Sequence, residues 1–275
     1  MSLPNFLFIG PDKTGSTWLY EILRQHPQCF VPDCKDIYFF DRYYNRGFHW
    51  YLSFFNKSPS TALAIGELSH DYLFSQEAAK RIRNHLPNVR LLTSLRNPVE
   101  RTFSHYLQLV RSGLTRQSFD EALKSFPELI NNSRYAKHLD IYFKLFGRNQ
   151  IKVLFFDKLQ TDPRSYAEEV FDFLGIGLDE SIEYERRIMA AAKPRSALIA
   201  RIAKIGANAA RDCGFTKLVG RIKYSRLAAM LYRPYAQGER EIMKPETRKY
   251  LNETFAPDIA ELEQLLGCSL KHWIS

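Results

Sequence analysis

The chain has 275 residues, 45% hydrophobic and 25% charged, which excludes a disordered, collagen-like or disulfide-framework protein. No stretch approaches the ~18–20 apolar residues that a membrane span needs. The opening residues, Met1 to Gly10, lack the basic region of a signal peptide and predict a strand. Cys29, Cys34, Cys213 and Cys268 lack paired metal-ligand spacing, which predicts reduced thiols, a cytoplasmic location and no zinc site.

In chain order, Asn5 to Ile9 is an apolar run that predicts a strand, followed by a glycine-bearing turn. Ser16 to His26 carries Leu19, Ile22 and Leu23 on one face and ends at Pro27, so it predicts a helix. Ala62 to Ile65 predicts a second short strand and Ala78 to Leu86 a helix. Val89 to Leu95 predicts a buried strand, and Pro98 stands where a first helical residue belongs. Helical patterns follow at Phe119–Phe126 and Leu139–Phe146, then a strand at Ile151–Phe156. Pro163 and Pro245 open two further helices. Short, continuously apolar strands alternating with helices predict an α/β fold with a central parallel sheet flanked by helices in three layers. The length and the single alternating pattern predict one domain over residues 1–275, with the helical, basic segment 193–235 part of it or appended to it. Ligands of such sheets bind at the carboxyl ends of the strands.

The charge is uneven. The net charge is +9, and Lys193 to Arg233 holds ten basic residues against one acid, Asp212. That segment alone accounts for the whole excess and favours an anionic ligand, substrate or surface. Solvated helix faces are the alternative. Leu198, Ile199, Ile202 and Ile205 recur at helical spacing and predict a docked amphipathic helix. A membrane-surface helix has less support, because Trp and Phe are nearly absent there. The few aromatic residues, Phe215, Tyr224 and Tyr232, argue against nucleic-acid binding.

Residues 10–17 read Gly-Pro-Asp-Lys-Thr-Gly-Ser-Thr between a strand and a helix. This context makes a concave anion site of backbone N–H groups and a helix N-terminus. Against the nucleoside-triphosphate loop G-x-x-x-x-G-K-[ST], Gly10, Gly15 and Thr17 fit. Ser16 stands where the lysine belongs, and Lys13 lies three places earlier. Asp157 is the nearest candidate for a metal-binding aspartate. A kinase or other phosphotransferase is therefore disfavoured, and a non-catalytic polyanion-binding protein is a third possibility.

The order K-T-G-[ST]-T after an apolar strand resembles the sulfotransferases that use 3′-phosphoadenosine 5′-phosphosulfate (PAPS), most closely their bacterial and carbohydrate-type branch. Leu95 to Ser104 looks like that family's R-x-P-x-x-R-x-x-S motif, and Lys35 to Phe40 like its K-E-x-x-F-F segment. Gly47 to Tyr51, Val153 to Leu159 and the end from Pro245 to Trp273 also match family segments. The resemblance implies a P-loop-like fold and a metal-independent sulfotransferase. Such an enzyme moves a sulfuryl group from PAPS to an acceptor hydroxyl and releases 3′,5′-adenosine bisphosphate (PAP). It assigns Lys13 to the bridging oxygen of the leaving phosphate, and Thr14, Gly15, Ser16 and Thr17 to the 5′-phosphate. It assigns Arg96 and Ser104 to the 3′-phosphate, with Arg195 closing over it. Arg101 is read as structural. The family's glutamate base corresponds to Asp36, one methylene shorter, and His70 is the competing base. His49 and His105 are weaker candidates. The aromatic run from Tyr38 to Phe55 is read mainly as core. The implied partner is a small-molecule, glycan or carrier-bound sulfate acceptor.

Overall fold

The computed structural model describes residues 3–186, 192–223, 232–234, 239 and 241–274. Tyr224, Arg226 and the rest of 224–231, like residue 235, lie outside the described residues. Among the described residues the helices are α1 (Ser16–Gln25), α2 (Phe48–Leu52), α3 (Gln76–His85), α4 (Pro98–Arg111), α5 (Phe119–Ser125), α6 (Glu128–Asn131), α7 (Tyr135–Phe146), α8 (Phe156–Thr161), α9 (Pro163–Leu174), α10 (Ala197–Asp212), α11 (Thr216–Lys223) and α12 (Pro245–Leu266). The chain divides into two compact units: Met1–Arg96 with Lys137–Ile188, and Asn97–Ala136 with Met189–Ser275.

The first unit is built on a parallel sheet of β1 (Phe6–Gly10), β2 (Cys29–Phe30), β3 (Ala64–Leu68), β4 (Arg90–Leu95) and β5 (Ile151–Phe155). Their order is β2-β3-β1-β4-β5. β1 runs between β3 and β4, with Phe6 paired to Gly66 on one side and to Arg90 on the other. Every residue of β1 and β3 is buried, which is why their sequences are apolar without alternation. After β1 the chain builds β2 and β3 on one flank, then crosses to build β4 and β5 on the other. The loop after β1 therefore opens where the strand order reverses.

Several boundaries differ from the sequence expectation; the helix expected from Leu139 starts at Tyr135, and most others shift by one or two residues. β3 starts at Ala64 and not Ala62, because the Leu63 and Ala64 N–H groups turn back to the Gln28 carbonyl (2.9 and 3.1 Å). It extends through Gly66 and Glu67, which break the apolar run. β2, two residues long, is too short to leave a periodicity. Phe156 belongs to α8 and not to the strand before it.

α1 seals the sheet with Trp18, Leu19, Ile22 and Leu23. The Trp18 indole donates to the Tyr184 carbonyl (3.1 Å) and meets the Tyr166 ring edge-on at 5.8 Å. α9 begins at Pro163, with the Asp162 carboxylate accepting from the Ser165 N–H (2.9 Å), and ends at left-handed Gly175, the two terminal devices that fix a helix length.

In the second unit, α12 buries Leu251, Phe255, Ile259 and Leu262. Its Arg248 pairs with Glu100 of α4 (2.7 Å), and the Asn97 amide donates to the Trp273 carbonyl (2.9 Å). Arg101 is fully buried and donates to the Ser133 hydroxyl (3.2 Å), a structural role. α10 overturns the docked-stripe expectation. Leu198, Ile199, Ile202 and Ile205 are 53–62% exposed, while Ala200 and Arg211 are buried. Helical periodicity locates an apolar stripe, but an alanine face opposite it can pack just as closely. Here the alanine side faces the protein.

Leu23 is fully buried in the core beneath α1. Leu23→Ala is expected to lower unfolding free energy by about 2–5 kcal/mol, read as an earlier urea midpoint at unchanged m-value.

Candidate active site

The loop after β1 is shaped by backbone geometry that few residues tolerate. Gly15 caps α1 at φ 86°, and a Cβ there would lie 2.3 Å from Leu159 Cδ2. Only glycine closes the loop against α8. Lys13 is also left-handed, at φ 68°. Thr14 is wholly buried and its hydroxyl donates to the Pro11 carbonyl (2.9 Å). Two hydroxyls of β4 tie down the rest of the loop: Thr93 donates to the Gly10 carbonyl (2.7 Å) and Ser94 to the Thr14 carbonyl (3.1 Å). The N-cap of α1 is Gly15, which has no side chain to cap the first turn. The N–H groups around Ser16 and Thr17 point out along the helix axis, where the helix dipole favours an anion. Arg96, directly after β4, donates to the Lys13 carbonyl at 3.4 Å and lies 4.8 Å over the Phe156 ring. The sequence-predicted cations Lys13 and Arg96 thus converge on one loop.

Asp36 and His70, read as rivals from the sequence, are hydrogen-bonded partners. His70 Nδ1 lies 2.8 Å from Asp36 Oδ1, and Lys35 Nζ lies 3.2 Å from the same oxygen. A carboxylate at Nδ1, closer than the one near Nε2, favours the proton there and leaves Nε2 as an acceptor. The Tyr38 hydroxyl approaches Nε2 at 3.1 Å, and Asp71 Oδ1 lies at 3.4 Å. Arg42 stacks on the Tyr38 ring at 4.2 Å and pairs with Asp71. Asp36 and Lys35 are buried, whereas the His70 side chain is 20% exposed. Of the two candidates, the imidazole is the one that reaches solvent.

This pair stands beside the loop. The Ser69 N–H donates to the Phe8 carbonyl (3.1 Å), and a Cβ on Gly10 would fall 2.0 Å from the His70 carbonyl oxygen. An anion cradle and a carboxylate–imidazole pair therefore share the carboxyl ends of two adjacent strands.

Glu67 holds the arrangement from below, and sequence reasoning did not assign it a role. It is buried in β3 and accepts from the Ser69 hydroxyl and the Tyr72 hydroxyl, both at 2.7 Å. Those hydroxyls in turn accept the N–H groups of Tyr38 and Phe39, both at 3.0 Å. With the Asp36 N–H donating to the Leu68 carbonyl (2.9 Å), these bonds hold a segment in which Asp36 and Tyr38 are left-handed at φ 68° and 54°. Non-glycine residues hold that conformation only when their surroundings enforce it. The available signal was a charged residue inside a strand otherwise apolar on both faces. Burial pushes the Glu67 carboxyl up to about 8.

The remaining candidates separate. Ser16 is buried and Thr17 half-buried in the first turn of α1. Ser104 is half-buried on α4 and Arg195 is exposed, and both belong to the second unit. His49 is exposed on α2, and Asp157 lies in the first turn of α8. Phe39, Phe40 and Tyr51 are wholly buried and mutually packed, as core residues are. Among the described residues there is no group of three or more His, Cys, Asp or Glu placed to hold a metal ion.

The model of the sulfotransferase domain matches residues 3–196, well over half of the chain. The chain belongs to the sulfotransferase family. Human bifunctional heparan sulfate N-deacetylase/N-sulfotransferase 3 is 34% identical over 196 residues, covering 63% of this chain and 22% of that protein. Mouse heparan sulfate glucosamine 3-O-sulfotransferase 6 is 29% identical over 181 residues, covering 63% of this chain and 52% of that protein. The chain thus spans between a fifth and a half of these curated relatives. The crystal structure of a sulfotransferase from Alicyclobacillus acidocaldarius aligns over 100% of both chains with a TM-score of 0.71 and 26% identity. The P-loop-like sulfotransferase fold is therefore the fold of this chain.

Because the Glu67 carboxyl is raised by burial, the folded sulfotransferase domain binds more protons than the unfolded chain from the ordinary carboxylate range up to about pH 8. Its stability is fully present below that range and falls as pH rises through it. Glu67→Gln removes this dependence. Calorimetric melting across the range should show the wild type losing Tm relative to the variant as pH rises.

Proposed function

We propose that this chain transfers the sulfuryl group of PAPS to a hydroxyl of a carbohydrate acceptor. The observation that carries the proposal is the juxtaposition of a glycine-capped helix N-terminus with the Asp36–His70 pair, whose Nδ1 and Oδ1 lie 2.8 Å apart. The loop fits a 5′-phosphate: left-handed Gly15, the N–H groups of the first turn and Lys13 together supply donors and positive charge to one concave site. The bound donor would supply a sulfuryl group activated by its phosphate leaving group.

His70 Nε2 accepts the acceptor's hydroxyl proton as the oxygen forms its bond to sulfur. The bond from sulfur to the phosphate oxygen breaks, and its electron pair stays on the phosphate. Lys13 and the loop N–H groups stabilise that developing charge. Asp36 holds the imidazole in the productive tautomer and stabilises the imidazolium that forms. Thr14 contributes through its backbone, since its hydroxyl is engaged within the loop. Arg96, a planar guanidinium at the strand end, suits the 3′-phosphate. Ser104 carries its 3′-phosphate assignment from the sequence motif, and Arg195 from the family resemblance alone. A carbohydrate acceptor is supported by the relatives, whose names place their transfer on heparan sulfate and its glucosamine.

Calorimetric titration with PAP and with ADP, in the presence of a metal chelator, tests the donor site. PAP should bind and ADP bind weakly. Arg96→Ala should lose about 10- to 100-fold in PAP affinity. Equal binding of ADP, or binding of PAP only with Mg²⁺, would overturn the proposal in favour of a phosphotransferase. For the reaction, sulfuryl transfer from radiolabelled PAPS to a desulfated heparan oligosaccharide should fall about 10²–10⁴-fold in Asp36→Asn and in His70→Asn. The double variant should fall no further than the worse single one, with PAP affinity retained in all three. Additive losses would contradict a shared dyad.

A further inference from the structure

We propose that Lys35 is a positioning residue of the base: its ammonium keeps the Asp36–His70 pair free of a proton until the acceptor supplies one. The proposal rests on the sulfuryl-transfer reading of the site and adds a third member to its proton-accepting half. Lys35 Nζ lies 3.2 Å from Asp36 Oδ1, the same oxygen that faces His70 Nδ1 at 2.8 Å. One carboxylate oxygen thus joins an ammonium to an imidazole, with the two nitrogens at most about 6 Å apart. The Lys35 and Asp36 side chains are 5% and 3% exposed. Lysine is almost never buried this deeply without a partner. The contact is made in strained backbone, since Asp36 is left-handed at φ 68° with its N–H tied to the Leu68 carbonyl (2.9 Å). Strain of that kind persists only where the surroundings enforce it.

Burial favours the neutral form of a carboxyl group. A protonated Asp36 could neither accept from the Nδ1–H nor stabilise the imidazolium that forms during transfer. The ammonium opposes that protonation. Every proton the pair gains is taken up against a positive charge in contact with it. Removing the charge makes the pair hold a proton more tightly, whichever of the two groups carries it. The other groups facing the pair do not replace Lys35. The Tyr38 hydroxyl, 3.1 Å from His70 Nε2, is neutral. Asp71 Oδ1, 3.4 Å from Nε2, and Glu67, which feels the Asp36 charge from within β3, both favour proton uptake when ionised. The Arg42 guanidinium is engaged by Asp71 and lies 3.6 Å from the Asp41 carboxylate. The loop after β1, which carries Asp12 and Lys13, meets His70 through the Gly10 backbone.

The test is the pH dependence of kcat for transfer from radiolabelled PAPS to the desulfated heparan oligosaccharide. Lys35→Met should move the acid limb of the profile up by at least about one pH unit. Its loss is then about tenfold or more below the limb and closes to within about threefold at alkaline pH. Lys35→Arg keeps the charge and should follow the wild type, and PAP affinity should be retained in both variants. A lysine that only supports the fold, or one that touches the sulfuryl group, would instead give an equal loss at every pH. That result, or an unmoved limb, would overturn the proposal. The ring proton of His70, identified by its absence in His70→Asn, reads the same shift by NMR without turnover. Its titration should move up by the same amount in Lys35→Met. An unshifted signal in a protein that transfers sulfate would overturn the role of Lys35 alone. A shifted signal in a protein that transfers none would overturn the sulfuryl-transfer reading and leave the electrostatic role standing. If Lys35→Met fails to fold, the shift is read between Asp36→Asn and the double variant Asp36→Asn, Lys35→Met, in which no buried carboxylate loses its cation. No shift there would equally overturn the proposal.

Discussion

Parallel pairing of β1 with β3 on one side and β4 on the other sets three strand ends side by side, and each feature of the candidate site hangs from one of them. β1 delivers the loop, β3 delivers His70, and β4 delivers Thr93, Ser94 and Arg96. A one-residue slip of any strand would turn every side chain to the opposite face. It would separate Gly10 from the His70 backbone it now touches. The reason parallel sheets keep their ligands at this edge is visible in the bonds themselves. The hydroxyls of β4 fold the loop back over the sheet, and the helix that follows aims its first-turn N–H groups at the space left open.

The electrostatic design is divided between the two halves of that edge. The cradle is built from donors: backbone N–H groups, Lys13 and Arg96. The adjacent pair is built from an acceptor and a proton carrier, Asp36 and His70, with Lys35 as counter-charge to the buried carboxylate. Sulfuryl transfer asks for this division, because negative charge grows on the leaving side while a proton departs on the attacking side. Glu67 adds a third layer that touches neither. Its two hydroxyl relays hold the Tyr38 and Phe39 N–H groups, so a carboxyl group buried in the sheet holds the strained segment just after Asp36.

What was legible in the sequence follows from length scale. The strand–turn–helix unit around Lys13, the helix starts at Pro98, Pro163 and Pro245, and the parallel sheet all depend on local pattern, and all stand where local pattern placed them. The Asp36–His70 bond spans 34 residues of sequence, and no spacing rule could turn two competing bases into one dyad. The left-handed backbone of Asp36 and Tyr38 was equally hidden, since neither residue type announces it. α10 shows the complementary limit. Its periodicity was read correctly, but which face is buried depends on a neighbour's shape, and alanine competes with isoleucine when close approach decides.

The account's central claim is that the loop and the dyad form one site, with the donor's phosphate on the loop and the dyad facing the transferred group. A crystal structure of the chain with PAP, grown in the presence of a metal chelator, tests it most directly. The account predicts the 5′-phosphate within hydrogen-bond distance of the Gly15–Thr17 N–H groups and Lys13 Nζ, with His70 Nε2 facing the side from which an acceptor would approach. A 5′-phosphate bound away from this loop, or His70 turned from it with the Asp36 bond broken, would contradict the account.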